Sequence, residues 1–419
     1  MRADNQVRLD RLLARHPSAE LVGADSGRPA LVRRDEVLVT AGDASAADDR
    51  LRRWVDQRED LVEAEVSRFR LRTTSRVDLC HLVSDVAGPT RAADPVGADP
   101  GTSPAGGLAV SVNHLLRGEP SYSGGPFDAP RAYTPPPVVV AQRTAERPAM
   151  PSGRRITIGV LDTGIDPHPW FGATDWFADC GAEAREVLDA DLDLVLDSEA
   201  GHGTFVAGLL ARNAPQAVLR IERVLGSDGV CDELELIQGL TRMSYRATAR
   251  GERIDLVNLS LGCYTFDDRP SAVLTRALAR LGRSTVLVAA AGNNRQDRPF
   301  WPAALKNVVA VGALSADGAD RAEYSNHGWW VDACAIGTDV ASSFVSFSAQ
   351  GQRFEGYARW SGTSFATPVV TGAIAAMAME EGIDVADAAD RLLDPATNLT
   401  HPELGVRVRP GKSALASAG

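Results

Sequence analysis

Cysteine is scarce in this chain, and its spacing predicts neither a disulfide framework nor a zinc site. Only five cysteines occur among 419 residues, an odd number, and no C-x-x-C pair is present. Widely separated thiols of this kind are typical of proteins kept in a reducing compartment. The sequence therefore predicts five free thiols, at Cys80, Cys180, Cys231, Cys263 and Cys334.

Long apolar runs and basic tracts are also missing. No apolar stretch is long enough to span a bilayer, and the first residues are polar and charged, unlike a secretory signal peptide. The formal net charge is −11, and no basic face interleaved with aromatic residues occurs. Nucleic acid and membranes are therefore unexpected partners, and we expect a cytoplasmic protein.

What the chain does have is enough apolar sequence for a large core, since 44% of its residues are hydrophobic. This length gives a prior of two or three domains. Shifts in composition predict five parts, which are an N-terminal extension (1–28), a small α+β domain (29–117), a Pro/Gly-rich linker (118–153), a large α/β domain (154–400) and a flexible tail (401–419).

The small domain shows strand and helix patterns in the order β-α-β-α-β. Strands are predicted at residues 30–32, 36–40, 62–71 and 107–112, and helices at residues 44–58 and 78–86. A loop rich in Gly, Pro, Ala and Asp fills residues 87–104. This order resembles a ferredoxin-like module.

In the large domain, strands alternate with helices. Strands are predicted at residues 155–161, 218–224, 254–261, 285–290 and 308–311, and helices at residues 202–210, 233–249 and 271–281. Such alternation predicts a mostly parallel sheet with helices on both faces, a three-layer α/β/α fold. In folds of this class the functional site lies at the carboxyl ends of the strands.

Three short segments of this domain carry side chains suited to catalysis. Asp162 closes the first strand in L-D-T-G-I-D, His202 begins a helix in G-H-G-T, and Ser364 lies in G-T-S before a small, apolar helix. Unpaired N–H groups and the dipole at that helix start favour a negative charge. Each residue alone also has an ordinary structural explanation, as a turn aspartate, a buried histidine or a helix cap.

In this order the three segments resemble the subtilisin-like serine peptidases, over about residues 155–380. The resemblance implies a serine endopeptidase that acts through an acyl-enzyme, with Asp162, His202 and Ser364 as its triad. It maps the amide donor of the oxyanion site onto Asn293 in A-A-A-G-N. It also implies that a segment of three residues, Ser260, Leu261 and Gly262, pairs with the backbone of a polypeptide substrate. Together with Ala290, Ala291 and Gly292, that segment would line the pocket for the residue before the scissile bond.

The same resemblance implies a role for the small domain. Members of this family often carry an α/β propeptide that assists folding and occupies the cleft before its removal. Residues 29–116 have a suitable size and pattern, although an attached accessory domain is the alternative. In either case the N-terminal part of the chain is expected to bind the peptidase cleft in cis.

No cofactor is expected. The acidic residues Asp189, Asp191, Asp193 and Asp197 could ligate calcium, but no D-x-[DN]-x-[DN]-G loop is present, and a solvated acidic surface is the preferred interpretation. Asp166 and His168 lie close to the first motif and are predicted to be structural.

Two other functions compete with the peptidase. One is a catalytically silent relative that only binds peptides, against which the presence of all four catalytic elements argues. The other is an α/β-hydrolase esterase, which needs G-x-S-x-G and the order Ser, Asp, His. Both features are absent around Ser364.

Overall fold

The computed structural model describes residues 3–72, 78–88, 107–118, 129–134, 155–172 and 174–409. These residues form two compact units. The first unit contains the chain up to Leu116 together with Asp232–Thr241 and Cys263–Arg283. The second contains Arg117–Cys231, Arg242–Gly262 and the chain from Ser284 onward. The units are thus discontinuous, unlike the consecutive domains predicted. Most of the predicted linker and of the predicted loop over residues 87–104 lies outside the described residues.

Up to residue 118 the chain forms three helices and five strands within the described ranges. These are α1 (Ala3–Arg15), β1 (Ala19–Val22), β2 (Ala30–Thr40), α2 (Ala44–Leu51), β3 (Val55–Leu61), β4 (Val66–Leu71), α3 (Leu79–Ala87) and β5 (Val110–Gly118).

In the first unit an antiparallel sheet has the strand order β5-β2-β4-β3, and β1 pairs with the beginning of β2. From β2 to β5 the elements follow each other as β-α-β-β-α-β, the order of the split βαβ motif. Its core packs apolar side chains of these strands against α2 and α3, among them Val37, Leu51, Phe69, Leu82 and Val112. The ferredoxin-like class of this unit stays a prediction.

Two predictions for this unit are wrong in detail. The helix expected over residues 44–58 ends at Leu51, and the chain from Val55 pairs with β4 as an edge strand whose side chains are mostly exposed. An edge strand of this kind carries charges on both sides, so the sequence lacks the alternation of a half-buried strand. The strands expected at 30–32 and 36–40 are one strand, β2, which is irregular near Asp35 at φ +59°.

Further along the chain, the described elements include both strands and helices, and a hairpin precedes a long helix. They are β6 (Arg131–Ala132), β7 (Thr157–Asp162), α4 (Asp175–Ala178), α5 (His202–Asn213), β8 (Val218–Arg223), β9 (Val230–Asp232), α6 (Glu233–Ala249), β10 (Leu256–Leu259), β11 (Leu261–Gly262), α7 (Ala272–Ala279), β12 (Val286–Ala290), β13 (Val308–Leu314), β14 (Ala333–Ile336), β15 (Val340–Ala349), β16 (Gln352–Trp360), α8 (Thr363–Glu381), α9 (Val385–Leu392), β17 (Thr400–His401) and β18 (Gly405–Arg407).

The second unit is built on an eight-stranded sheet with the order β17-β18-β14-β13-β12-β10-β7-β8. All neighbours pair in parallel except β17 with β18. The central strands are buried, as their unbroken apolar sequence predicts. This is the expected α/β fold with a mostly parallel sheet, and helices α5 and α8 pack against each other beside it.

Two parts of the second unit depart from the predictions. The tail predicted to be flexible from residue 401 instead adds β18 to the sheet, and Val406 and Val408 are buried. The hairpin of β15 and β16, which also pairs with β6, was not predicted.

Candidate active site

Asp162 lies at the carboxyl end of β7 and is completely buried. Its Oδ1 accepts the backbone N–H of Thr163 at 2.7 Å. Its backbone carbonyl accepts the N–H groups of Val224 and Leu225, which follow the neighbouring strand β8. These bonds hold the carboxylate at the edge of the parallel sheet, where the sequence predicted it.

His202 is the first residue of α5 and is also completely buried. Its Nδ1 lies 2.7 Å from Asp162 Oδ1, so an N–H on Nδ1 donates to the carboxylate. That tautomer leaves Nε2 as the basic nitrogen. Nε2 is buried and makes no hydrogen bond with any described residue. The imidazole is thus oriented by one nitrogen and can accept a proton through the other.

Ser364 is the second residue of α8, and the ring of the next residue, Phe365, lies 5.3 Å from the ring of His202 between centroids. The serine and the imidazole are thus brought to the same region. The Ser364 hydroxyl donates to the carbonyl oxygen of Ser260 at 3.2 Å, and the Ser260 hydroxyl donates to the carbonyl of Ser364 at 2.8 Å. The Ser364 hydroxyl thus directs its proton to Ser260 in this arrangement and not to Nε2 of His202.

Asn293 lies just after β12. Its side-chain oxygen is held by Thr363, the residue before Ser364. Oδ1 accepts both the N–H and the hydroxyl of Thr363, each at 2.9 Å. The residue before Asn293, Gly292, has φ +95°, and a Cβ there would lie 2.5 Å from Asn326 Nδ2, so this turn favours glycine. With Oδ1 held in this way, the amide nitrogen is the group that Asn293 can offer to a ligand.

The two predicted substrate-binding segments lie at the carboxyl end of the sheet. Ser260, Leu261 and Gly262 follow β10, and Ala290, Ala291 and Gly292 close β12, the strand beside it. The first segment already has a partner within the unit, because Leu261 and Gly262 pair antiparallel with Gly118 and Arg117. Gly118 also donates its N–H to the carbonyl of Gly229 at 2.7 Å. This chain segment therefore lies as a strand between two others.

Sequence reasoning overlooked one group, Glu186, which joins the first two motifs. Its Oε1 accepts hydrogen bonds from Thr163 Oγ1 at 3.2 Å and from Thr204 N at 3.1 Å. Burial raises the pKa of Glu186 to about 7, and the nearby negative charge of Asp162 adds to that increase. The only available signal was the pair of threonines inside D-T-G and H-G-T.

The remaining predicted residues stay outside this arrangement. His168 is buried against the aromatic rings of Trp170, Phe171 and Tyr357. Asp189, Asp191 and Asp193 bring carboxylate oxygens within 4.8 Å of one another. In this loop Asp189 accepts the N–H groups of Asp193 and Leu194, so part of the acidic charge already stabilises the loop backbone.

Comparison with known proteins gives matches over the part of the chain that contains the candidate site. The sequence model of the subtilase family matches residues 153–406. The thermophilic serine proteinase of Bacillus sp. (strain AK1) is 33% identical over 252 residues, which cover 57% of this chain and 56% of that protein. Subtilisin BL of Lederbergia lenta is 32% identical over 234 residues, which cover 54% and 76%. The major intracellular serine protease of Bacillus subtilis (strain 168) is 30% identical over 246 residues, which cover 53% and 68%.

Among solved structures, the crystal structure of a cold adapted subtilisin-like serine proteinase is similar, with 26% identity and a TM-score of 0.46. The match covers 62% of this chain and 90% of that one. The chain spans little more than half the length of the Bacillus sp. proteinase. None of the described helices has the length and apolarity that a membrane span requires.

Proposed function

The chain belongs to the subtilase family, and from that premise we propose that it hydrolyses peptide bonds as a serine endopeptidase. The observation that carries this proposal is the buried 2.7 Å hydrogen bond between Asp162 Oδ1 and His202 Nδ1. A buried imidazole oriented in this way, with Nε2 facing no described hydrogen-bond partner, is prepared to act as a general base. The start of α8 supplies Ser364, and the ring of the next residue, Phe365, packs against the ring of His202.

In this proposal Ser364 is the nucleophile. His202 Nε2 takes the hydroxyl proton while the serine oxygen bonds to the scissile carbonyl carbon, and the carbonyl oxygen becomes negative. The imidazolium then gives that proton to the leaving amine as the C–N bond breaks. Water repeats the two steps on the acyl-enzyme and releases the acid. Asp162 keeps the imidazole in the required tautomer and stabilises its positive charge.

Two donors are proposed for the oxyanion. They are the backbone N–H of Ser364, in the first turn of α8, and the side-chain amide of Asn293, whose oxygen is bonded to Thr363. Preorganised donors cost no rearrangement when the charge develops, and losing one lowers turnover by about 10²–10³-fold, the scale known for this family. No metal or other cofactor enters the proposed steps.

The proposed substrate is an extended polypeptide. Strand β11 already forms an antiparallel pair with Arg117 and Gly118, so it can accept a strand by backbone hydrogen bonds. Pairing of this kind reads the main chain more than the side chains. We therefore expect broad acceptance of unfolded polypeptide, with Ser260–Gly262 on one side of the substrate and Ala290–Gly292 lining its pocket.

The alternative, a silent relative that only binds peptides, is separated from the peptidase by covalent labelling. A fluorophosphonate probe phosphonylates a serine, with loss of fluoride, only where that serine is activated. The full chain should be labelled, and Ser364→Ala should not be. Loss of the label in Ser364→Ala with an unchanged circular dichroism spectrum supports the proposal. An unlabelled wild-type chain that still binds peptide would favour the silent relative.

We further propose that the N-terminal part of the chain binds the substrate-binding strand in cis. The pairing of Arg117 and Gly118 with β11 supports this, since an incoming substrate would need the same backbone groups. Replacing Gly118 by proline removes the N–H that donates to Gly229. We expect the full chain carrying Gly118→Pro to be labelled by the probe at least about tenfold faster, because a lost backbone bond weakens the cis strand.

Gly118→Ala is the matched control, since it keeps the N–H and adds a Cβ that lies 3.1 Å from the flexible side chain of Leu225. Equal labelling of wild type and the proline variant would contradict cis occupation and leave the peptidase proposal intact. If the occupied strand also marks a propeptide, wild type should shorten within residues 118–153 while Ser364→Ala keeps its full mass.

A cytoplasmic location is proposed as well. One similar protein carries "intracellular" in its name, and none of the five cysteines forms a disulfide. Fractionation of the native host cell, with the chain recovered outside the cytoplasm, would overturn it.

A further inference from the structure

A carboxyl group that no step of the proposed reaction uses lies behind the Asp162–His202 pair. Glu186 Oε1 accepts three hydrogen bonds, from Thr163 Oγ1 at 3.2 Å, Thr204 N at 3.1 Å and Thr204 Oγ1 at 3.0 Å. Thr163 follows Asp162, and Thr204 is the second residue after His202. One oxygen atom therefore joins the loop of the aspartate to the helix of the histidine.

The bonds around this oxygen form a closed network. Thr163 Oγ1 accepts the N–H of Gly203 at 2.8 Å, and Thr163 N donates to Asp162 Oδ1 at 2.7 Å. Thr204 Oγ1 accepts the N–H of Asp166 at 2.9 Å. Each hydroxyl thus spans from one motif to the other, and both meet at Glu186. Removing the glutamate would leave the bonds from Gly203 and Asp166 in place but take away the acceptor that both hydroxyls share.

The backbone brings Glu186 to this place by a short parallel contact. Ile165 N donates to the carbonyl of Ala184 at 2.8 Å, and Ile165 forms an isolated bridge with Arg185. Gly164 allows the approach at φ +128°, since a Cβ there would lie 2.8 Å from the carbonyl oxygen of Ala184. The segment that carries the glutamate is therefore held along the loop that carries Asp162.

The second oxygen of the Glu186 carboxyl lies in surroundings that disfavour its ionised form. Glu186 Oε2 is sealed from solvent and has no hydrogen-bond partner among the described residues. An ionised carboxylate in such surroundings is poorly stabilised, and Asp162 repels its charge. The charged group that acts on Glu186 is Asp162, and Arg185 precedes Glu186 in the chain. Arg185 lies over the ring of Phe177, at 5.3 Å from its centroid.

We propose that Glu186 is a positioning residue of the peptidase site, which fixes Asp162 against His202 and whose charge helps to set the pH at which His202 becomes a base. This inference rests on the proposed function, because it concerns the base of that reaction. It assigns to the glutamate two separable effects, one through its hydrogen bonds and one through its charge.

The charge effect has a definite sign. An ionised Glu186 stabilises the positively charged imidazolium of His202 more than an uncharged side chain at the same place would. Burial raises the pKa of Glu186 to about 7, so the glutamate carries its charge mainly above neutral pH. Activity needs neutral His202. Removing the glutamate charge should therefore move the acid limb of the activity profile to lower pH.

Three variants separate the two effects. Glu186→Gln keeps an oxygen that can accept from both threonines but carries no charge, and Glu186→Ala lacks both. We expect the midpoint of the acid limb of kcat to fall by about 0.5 pH unit in both variants, since both lose the charge. Only Glu186→Ala should also lose about tenfold or more in kcat, because both threonine hydroxyls lose their shared acceptor. The control is Glu183→Gln, an exposed glutamate in the same segment, whose midpoint and kcat should match wild type.

A readout independent of activity completes the test. Selective ¹⁵N labelling of histidine allows the pKa of His202 to be followed by NMR in the full chain, with assignment through a His202→Gln sample. Its midpoint should fall in Glu186→Gln by the amount seen in the kinetics. An unchanged His202 midpoint in a folded Glu186→Gln protein overturns the inference, even when the enzyme is fully active. If the wild-type protein shows no Ser364-dependent labelling by fluorophosphonate, the proposed function is overturned instead. The NMR comparison would still show whether the charge of Glu186 acts on His202.

Discussion

Alanine in place of His202 should lower the turnover of a peptide amide by about 10⁶-fold, and alanine in place of Ser364 by a similar factor, the scale known for this family's triad. The double replacement should lower turnover no further. Both expectations follow from one proton transfer, in which the hydroxyl of Ser364 is a weak nucleophile unless Nε2 of His202 removes its proton. Either loss disables the same step, so the free-energy costs do not add.

One contact in the structure supports the large loss expected for His202→Ala. The Ser364 hydroxyl donates to the carbonyl of Ser260 at 3.2 Å. Without the imidazole the hydroxyl keeps that bond, and nothing draws its proton away. Turnover should be measured under saturating substrate, so that altered binding does not enter the comparison. Losses that multiply in the double variant would contradict a shared step.

The control for this pair is His168→Ala. His168 is buried in the same unit, against Trp170, Phe171 and Tyr357, and takes no part in the proposed reaction. Its replacement leaves a cavity and should cost about 2–4 kcal/mol of the free energy of unfolding. Turnover per folded molecule should stay within a few-fold of wild type. A loss near that of His202→Ala would mean that packing, and not proton transfer, explains the effect.

The candidate site could be predicted from sequence because its parts are local. Asp162 follows an apolar strand, His202 begins a helix between two glycines, and Ser364 opens a helix of small residues. In a parallel sheet the carboxyl ends of the strands meet at one edge, so residues at those ends converge whatever lies between them. The hydrogen bond between Asp162 and His202 is a consequence of that topology.

Features built from distant segments could not be predicted in this way. In the first unit, Glu233 accepts from His114 at 2.6 Å and from Ser271 at 2.7 Å, and no pattern within one window links these residues. The hairpin of β15 and β16 had a weak local signal in Gln350 and Gly351, which adopt φ +48° and +80° at its turn. That dipeptide is not among the strong hairpin signals.

Within the site, Glu186 could not be predicted from the sequence for the same reason. It lies in an irregular stretch between Asp162 and His202, in no motif, and with charged and apolar neighbours that predict an ordinary surface loop. Only the three-dimensional contact of Ala184 and Arg185 with Ile165 brings it inside. A buried acid of this kind is recognised by its hydrogen bonds and its shifted pKa, and neither can be read from the sequence.

Asparagine in place of Asp162 should lower turnover by about 10⁴-fold while the fold is kept, since the side chains have nearly the same size. The carboxylate accepts from His202 Nδ1 and from Thr163 N, both at 2.7 Å. Both donors point to the same oxygen, Oδ1, so the amide keeps these bonds only when its own oxygen lies there, and in either orientation it has no negative charge to stabilise the imidazolium. Where its NH₂ faces the imidazole, the histidine must carry its proton on Nε2, and that nitrogen can no longer accept the proton of Ser364.

Asparagine in place of Asp255 provides the comparison. Asp255 is buried in the same unit, and its carboxylate accepts the N–H of Thr157, at the opposite end of β7 from Asp162. This variant loses a charge and a good acceptor without touching the imidazole, so it should lower stability and leave turnover per folded molecule within a few-fold. Thermal unfolding and active-site titration separate the two quantities. A loss below tenfold in Asp162→Asn would mean that the carboxylate only supports the fold and does not control which nitrogen of His202 carries the proton.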